Sequence, residues 1–307
     1  MSNGRIVVGT CSWADRGFVA DWYPPGLAPR DRLPYYAQRF EIVEVDSTFY
    51  ALPEVATVAR WARVTPPGFS FDFKVHRALS RHATSLDALP PDLRPSVRVS
   101  ARGRVILDAG LEREMAQRTL EAVEPLRAAG KLGALLLQLS PSFEPVEHRL
   151  TELEPLLEAL APLPVAVELR RRAWLAGERA AETLRWYEEV GAAFVCVDTP
   201  PSDDPIVLPN LDAVTRDDFA YFRAHGRNVK GFVHGRSVEE RFGYSYGEAE
   251  LREIAGRAHE LAATAALVRM HFNNNRGADA PVAARRLREM LGQDPGPAAV
   301  EVQGRLV

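Results

Sequence analysis

Six ionisable residues fall at alternate positions of short apolar runs: Glu44 and Asp46 in IVEVD, Lys74 in FDFKVH, Glu168 and Arg170 in VAVELR, and Arg223 in AYFRAH. Brought together, these residue types support defined chemistry. Glu44, Asp46 and Glu168 are candidates for proton transfer, and Asp46 and Glu168 also for holding a divalent metal, which prefers hard oxygen ligands. Arg170 and Arg223 suit two-pronged binding of a carboxylate or phosphate. Lys74 stands out by scarcity, since the 38 basic residues comprise 35 arginines and only Lys74, Lys131 and Lys230. Where arginine serves nearly every cationic need, a lysine placed among aromatics points to a compact amine acting as general base, Schiff-base nucleophile or point charge for a phosphate. The competing structural reading makes Lys74 a counter-ion of Glu44 or Asp72.

For these groups to meet, their runs must be strands of one sheet. Eight β-rich runs are read, near 6–11, 42–46, 70–75, 134–139, 165–169, 194–198, 219–225 and 267–272. Helical spacing near 30–39, 55–64, 111–128, 146–160, 177–190, 248–263 and 281–291 alternates with them, supported by caps such as Asp31. Strand and helix alternating through right-handed crossovers make a parallel sheet, and eight strands fit a single closed (β/α)8 TIM-type barrel over 1–307. The sixth crossover, 199–218, is rich in proline and aspartate and is expected to be irregular. A long connection after the third strand, 76–110, has the length of a lid, and 292–307 reads as a C-terminal tail.

Along each strand the helix-facing set must be apolar while the other set points into the lumen. Val43 and Val45 facing out leave Glu44 and Asp46 inward; Phe71, Phe73 and Val75 leave Asp72, Lys74 and His76; Phe222 and Ala224 leave Tyr221, Arg223 and His225. Gln138, Asp198 and Asn273 are placed inward on the fourth, sixth and eighth strands, which makes Asp198 a further candidate metal ligand. Asn274 adds an amide, and Tyr50 and Trp13 in the first two βα loops could stack on a flat ligand. Polar groups collected at C-terminal strand ends are where barrel enzymes place chemistry, although a self-satisfied salt-bridge belt would use the same residues.

Composition narrows the function class. With 46% hydrophobic residues, 26% charged residues and a net charge of −3, the chain reads as globular, without a polybasic footprint for nucleic acid. Arg94, Arg98, Arg102 and Arg104 give the long loop a local basic stripe, more simply read as solvated surface. No apolar run approaches the ~20 residues of a membrane span, and the N-terminal residues do not read as a signal peptide. Two cysteines, Cys11 and Cys196, make no disulfide framework, so a cytoplasmic location is expected. Cys11 ends the first strand without an identifiable base and reads as an inert thiol.

At VGTCSWADRGFVADWYPPG, VEVDSTFYALPEVATVARWARVTPPGFSFDFKVHR, LGALLLQLSPSF, VAVELRRRAW, HGRN with RFGYSYGEAEL, and FNNNRGADAPVAARRLREML, the chain resembles the YecE-like family, domain of unknown function 72. The resemblance runs from Val8 to Leu291. It implies a (β/α)8-type barrel and carries no established activity. The family's motif positions correspond here to Glu44, Asp46, Ser47, Phe49, Tyr50, Lys74, Gln138, Pro141, Phe143, Glu168, Arg170, Trp174, His225, Gly226, Arg227, Asn273, Asn274 and Gly277. Asp46 replaces the family's common asparagine, Arg171 its histidine, and Arg269 and His271 stand at aromatic positions, all of which add charge near the lumen.

The expectation is an enzyme with one site at the barrel's C-terminal mouth, acting on a small phosphate- or carboxylate-bearing anion, with phosphoester hydrolysis the favoured reaction. Arg170 and Arg223 would clamp the anion, Glu168 and Asp46 would transfer protons or hold a divalent cation, and Lys74 would stabilise developing charge. His225, Asn273, Asn274, Gln138, Tyr50 and Trp13 complete the ligand-binding set. The alternatives are a lysine-dependent isomerase or lyase and a non-catalytic barrel that binds a nucleotide or nucleic acid; a membrane partner is not expected.

Overall fold

The computed structural model describes residues 3–297. Eight parallel strands close into a barrel in chain order: β1 (Arg5–Thr10), β2 (Ile42–Val45), β3 (Ser70–Lys74), β4 (Leu132–Gln138), β5 (Val165–Glu168), β6 (Ala193–Asp198), β7 (Ala220–Ala224) and β8 (Leu267–Phe272). β8 pairs back onto β1 over six residues, from Arg5 opposite Leu267 to Thr10 opposite Phe272. All eight runs read from the sequence are strands. Burial of both faces explains their near-continuous apolar character.

Among the described residues, ten helices lie between and around the strands: α1 (Arg16–Asp21), α2 (Pro29–Ala37), α3 (Val55–Val64), α4 (Ala109–Ala128), α5 (Glu154–Leu160), α6 (Arg179–Val190), α7 (Val229–His234), α8 (Val238–Phe242), α9 (Glu248–Ala262) and α10 (Asp279–Met290). α2 starts at Pro29 behind Ala28, so Asp31 sits in its first turn instead of capping it. The helical pattern at 146–160 resolves into a 3₁₀ turn, Leu150–Leu153, leading into the short α5. Pro155 explains the late start, because proline suits a helix's first turn and cannot continue one from upstream. α1, α7 and α8 are five or six residues long, too short to show a helical period.

The sixth crossover, between β6 and β7, contains no helix among the described residues. It is tied down by side chains: Thr199 Oγ1 donates to the Leu208 carbonyl at 2.7 Å, and Arg257 of α9 pairs with Asp212 at 2.7 Å. The long connection after β3 folds as two 3₁₀ turns and the antiparallel bridges Ser85–Arg104 and Val99–Val105, then enters α4 through the cap of Asp108. Of the tail, 292–297 pack on the barrel, with Gln293 Nε2 donating to the Ile6 carbonyl at 2.8 Å; residues 298–307 lie outside the described residues. Among the described residues no helix is long and apolar enough to cross a membrane.

Candidate functional site

The lumen is filled by charge where barrels usually place branched apolar side chains. Toward the strand N-termini, the Arg269 guanidinium meets Asp72 at 2.8 Å and also donates to Ser70 Oγ, while His271 Nε2 lies 2.6 Å from the same carboxylate. Burial alone would raise the Asp72 carboxyl, but Arg269 and His271 hold it below its ordinary value. Gly133 leaves the room for this group: a Cβ there would stand 2.1 Å from Arg269 Nη2 and 2.3 Å from Asp72 Oδ1. Tyr221 links this group to the next, stacking on His271 at 5.1 Å and donating its hydroxyl to Glu44 at 2.9 Å.

The second group is centred on Arg223, which is fully buried. Its Nε and Nη2 grip Glu44 at 2.9 and 2.6 Å, and its Nη1 reaches Glu168 at 2.6 Å. Glu168 also accepts from Gln138 Nε2 at 2.8 Å and lies 3.2 Å from His225 Nε2. Burial pushes the Glu168 carboxyl up, yet the Arg223 charge, together with the hydrogen bond from His225, outweighs it and holds it well below the usual carboxylate range. Burial dominates at His225 and lowers its pKa, so the imidazole is neutral at pH 7. With the Asn273 amide assigned as donor to His225 Nδ1 at 3.0 Å, Nε2 carries the proton and donates to Glu168. The geometry thereby orders a hydrogen-bonded chain Asn273–His225–Glu168–Arg223–Glu44.

Above this floor lies the C-terminal mouth, where Lys74 is buried and Asp46 and Arg170 are partly exposed. Lys74 Nζ donates to Asp46 Oδ1 at 2.6 Å, and Asp46 keeps 28% of its side chain exposed. Burial raises the Asp46 carboxyl, but Lys74 and then Arg223 bring it below its ordinary value. Arg170 follows the end of β5. Its Nε is 3.9 Å from Glu168, beyond hydrogen-bond reach, its guanidinium lies 5.6 Å from the Phe232 ring centroid, and among the described residues it makes no hydrogen bond.

A family model described as "Protein of unknown function DUF72" matches residues 7–303. The chain belongs to the DUF72 family. A curated DUF72-type relative, the UPF0759 protein YunF of Bacillus subtilis strain 168, is 27% identical over 290 residues, covering 93% of this chain and 94% of YunF. Crystal structures of DUF72 proteins align over most of the barrel. One from Thermotoga maritima MSB8 is 28% identical with a TM-score of 0.74, covering 94% of this chain and 100% of that one; one from Enterococcus faecalis V583 is 24% identical with a TM-score of 0.75, covering 96% and 100%.

Several sequence expectations change on this DUF72 scaffold. Asp198 pairs in register with Ala224, as Cys196 does with Phe222, and so shares their outward face. There it takes Arg227 at 2.8 Å, Arg257 at 3.2 Å and the Tyr246 hydroxyl at 2.8 Å, which removes it from the candidate metal ligands. Trp13 packs edge-on against Trp61 of α3 at 5.1 Å, outside the lumen. Tyr50 is 58% exposed, in a groove beside Pro90 and Pro91. Arg223 is spent on Glu44 and Glu168 and fills the place where a cation between carboxylates would sit. Among the described residues no three His, Cys, Asp or Glu side chains assemble a metal set. Glu44 has both oxygens occupied and is a buried anchor. Burial, followed by the Glu44 charge, pushes the Cys11 thiol well above its ordinary value, consistent with an inert thiol. Asn274 is fully buried, its amide donating to the Tyr244 carbonyl at 2.7 Å. The four-arginine stripe is partly consumed: Arg94 donates to the Leu89 and Asp87 carbonyls, and Arg98 pairs with Asp108 at 3.4 Å.

Proposed function

We propose that the mouth is the active site of an enzyme for a small phosphate- or carboxylate-bearing ligand, and that its reaction is hydrolysis of a phosphoester. The observation that carries this reading is Arg170, a guanidinium set at a barrel mouth with its hydrogen-bonding capacity unspent. A planar cation so placed offers two parallel donors to an anion. Lys74 adds a point charge, and Arg77 and Arg241 extend the positive field, since Phe49 brings Arg77 to within 5.7 Å of its ring and Arg241 acts on Arg170. The fixed floor of Arg223, Glu44 and Glu168 keeps this arrangement from reorganising during reaction.

Asp46 and Lys74 are the proton-transferring pair. Asp46, ionised at neutral pH, takes a proton from a water that attacks phosphorus; the bond to the ester oxygen breaks, and Lys74 protonates that oxygen as it leaves. The 2.6 Å contact then returns the proton from Asp46 to Lys74. An ammonium already committed to a carboxylate favours this role over that of an amine nucleophile in an isomerase or lyase.

Release of inorganic phosphate from a panel of phosphomonoesters tests the reading. Asp46→Asn and Lys74→Met should each lower kcat by about 10²–10⁴-fold, and Arg170→Ala should act chiefly on KM. Full turnover by Lys74→Met would exclude the mechanism.

A further inference from the structure

We infer that His82 is an additional ligand-contacting residue of the mouth, which becomes an imidazolium and donates to a bound dianion such as a phosphoryl group; this rests on the reading of the mouth as an anion site. His82 is six residues beyond the inward position of His76, in the first turn of the long connection, and no strand pattern marks it.

The turn is built to present this ring. Arg81 has φ 61°, and among the described residues it is the one non-glycine with positive φ. Such strain persists only where surrounding structure enforces it, and it concentrates at functional sites. Here Arg81 is fixed by Glu112 of α4 at 2.5 Å and by the Glu152 carbonyl at 3.1 Å, while the His82 amide donates to the Arg77 carbonyl at 3.0 Å. The His82 ring then stands edge-on to Phe49 at 4.9 Å, against the same ring that has Lys74 Nζ 4.8 Å and Arg77 Cζ 5.7 Å from its centroid. Its Nδ1 is buried without a hydrogen-bond partner.

The charges acting on His82 are cations from three places: Arg77 in its own turn, Lys74 on β3 and Arg170 beyond β5. The carboxylates nearby, Asp46 and Glu112, are paired with Lys74 and Arg81. Burial first, then Arg77, Lys74 and Arg170, pull the imidazole down to about 4, so it is neutral in the unliganded protein. A neutral ring with an orphaned nitrogen amid three cations lacks an anion. Two negative charges placed there would offset the cations and restore the imidazolium, which a single carboxylate charge does less well. Dianions are therefore the ligand class that fits this ring.

Sulfate is the probe, because it stays a dianion across the working range and any proton taken up comes to the protein. Titration calorimetry at pH 5.5 in two buffers of different ionisation enthalpy should show uptake approaching one proton, with affinity rising about tenfold between pH 7 and 5. His82→Gln should bind sulfate within a few-fold of the parent at pH 7 and lose both the uptake and the pH dependence. Sulfate binding with no uptake, or with the same uptake in His82→Gln, overturns the role of His82 and leaves the anion site standing. Failure of the folded parent to bind either sulfate or inorganic phosphate overturns both.

Discussion

Arg223 is a fully buried cation placed between two buried carboxylates. It satisfies two buried carboxylates at 2.6 Å each, and a buried pair broken on one side leaves an uncompensated charge. Arg223→Met should therefore cost about 3–5 kcal/mol in urea unfolding, whereas Arg170→Ala, which severs no hydrogen bond, should cost under about 1 kcal/mol. Equal losses in the two variants would show that the floor and the mouth are not separate in function. Most of these residues were legible in the sequence, because strand alternation places Glu44, Lys74, Glu168, Arg170 and Arg223 inward. Asp198 reads as a lumen group because a polar residue at the end of an apolar strand looks like one; only its register with Ala224, and Arg257 arriving from α9, show that it faces the helices. His82 was invisible because a loop residue has no periodicity to betray where it points.

At the scale of elements, the strands could be read because each is a short apolar run buried on both faces. The one-turn helices α1, α7 and α8 could not, since five or six residues hold too little of a helical period. The α7–α8 segment matters all the same, because Phe232 of α7 supplies the ring beneath Arg170 and packs against Phe242 at 5.8 Å. On β4, Gly133 is dictated by tertiary structure alone: its Cβ-free backbone is what allows Asp72 and Arg269 to meet. Gly133→Ala should displace that pair and cost about 1–3 kcal/mol or more, while Gly130, whose left-handed turn has open space around it, should tolerate alanine's bulk and pay only the backbone penalty. Thermal denaturation of the two variants checks this, and a harmless Gly133→Ala would contradict the packing described.

Taken whole, the molecule is a barrel whose interior is held by ionised groups, and its stability should follow pH accordingly. His82 and His225 have depressed pKa values, so the unfolded chain binds more protons than the native one as pH falls below about 6.5, and stability declines there first. Asp46, Asp72 and Glu168 are held below their ordinary values, so their contribution is present above about pH 4.5 and is lost as pH falls through the native values. Two stages of acid destabilisation are expected in denaturant titrations, the first diminished in His82→Gln. The barrel itself was legible from eight strands in one chain. The filling of its lumen by two ion-paired groups, with Tyr221 between them, depends on which charge reaches which across the closed sheet, and that is fixed by stagger and side-chain length, not by alternation.

We propose that the mouth holds an anion between Arg170 and Lys74. Crystals grown without phosphate or sulfate and then soaked in inorganic phosphate test it most directly. Tetrahedral density is expected within hydrogen-bond distance of the Arg170 guanidinium and Lys74 Nζ, with Arg223 still locked to Glu44 and Glu168. A mouth filled only by solvent at saturating phosphate, with Arg170 turned onto a protein partner, would contradict it.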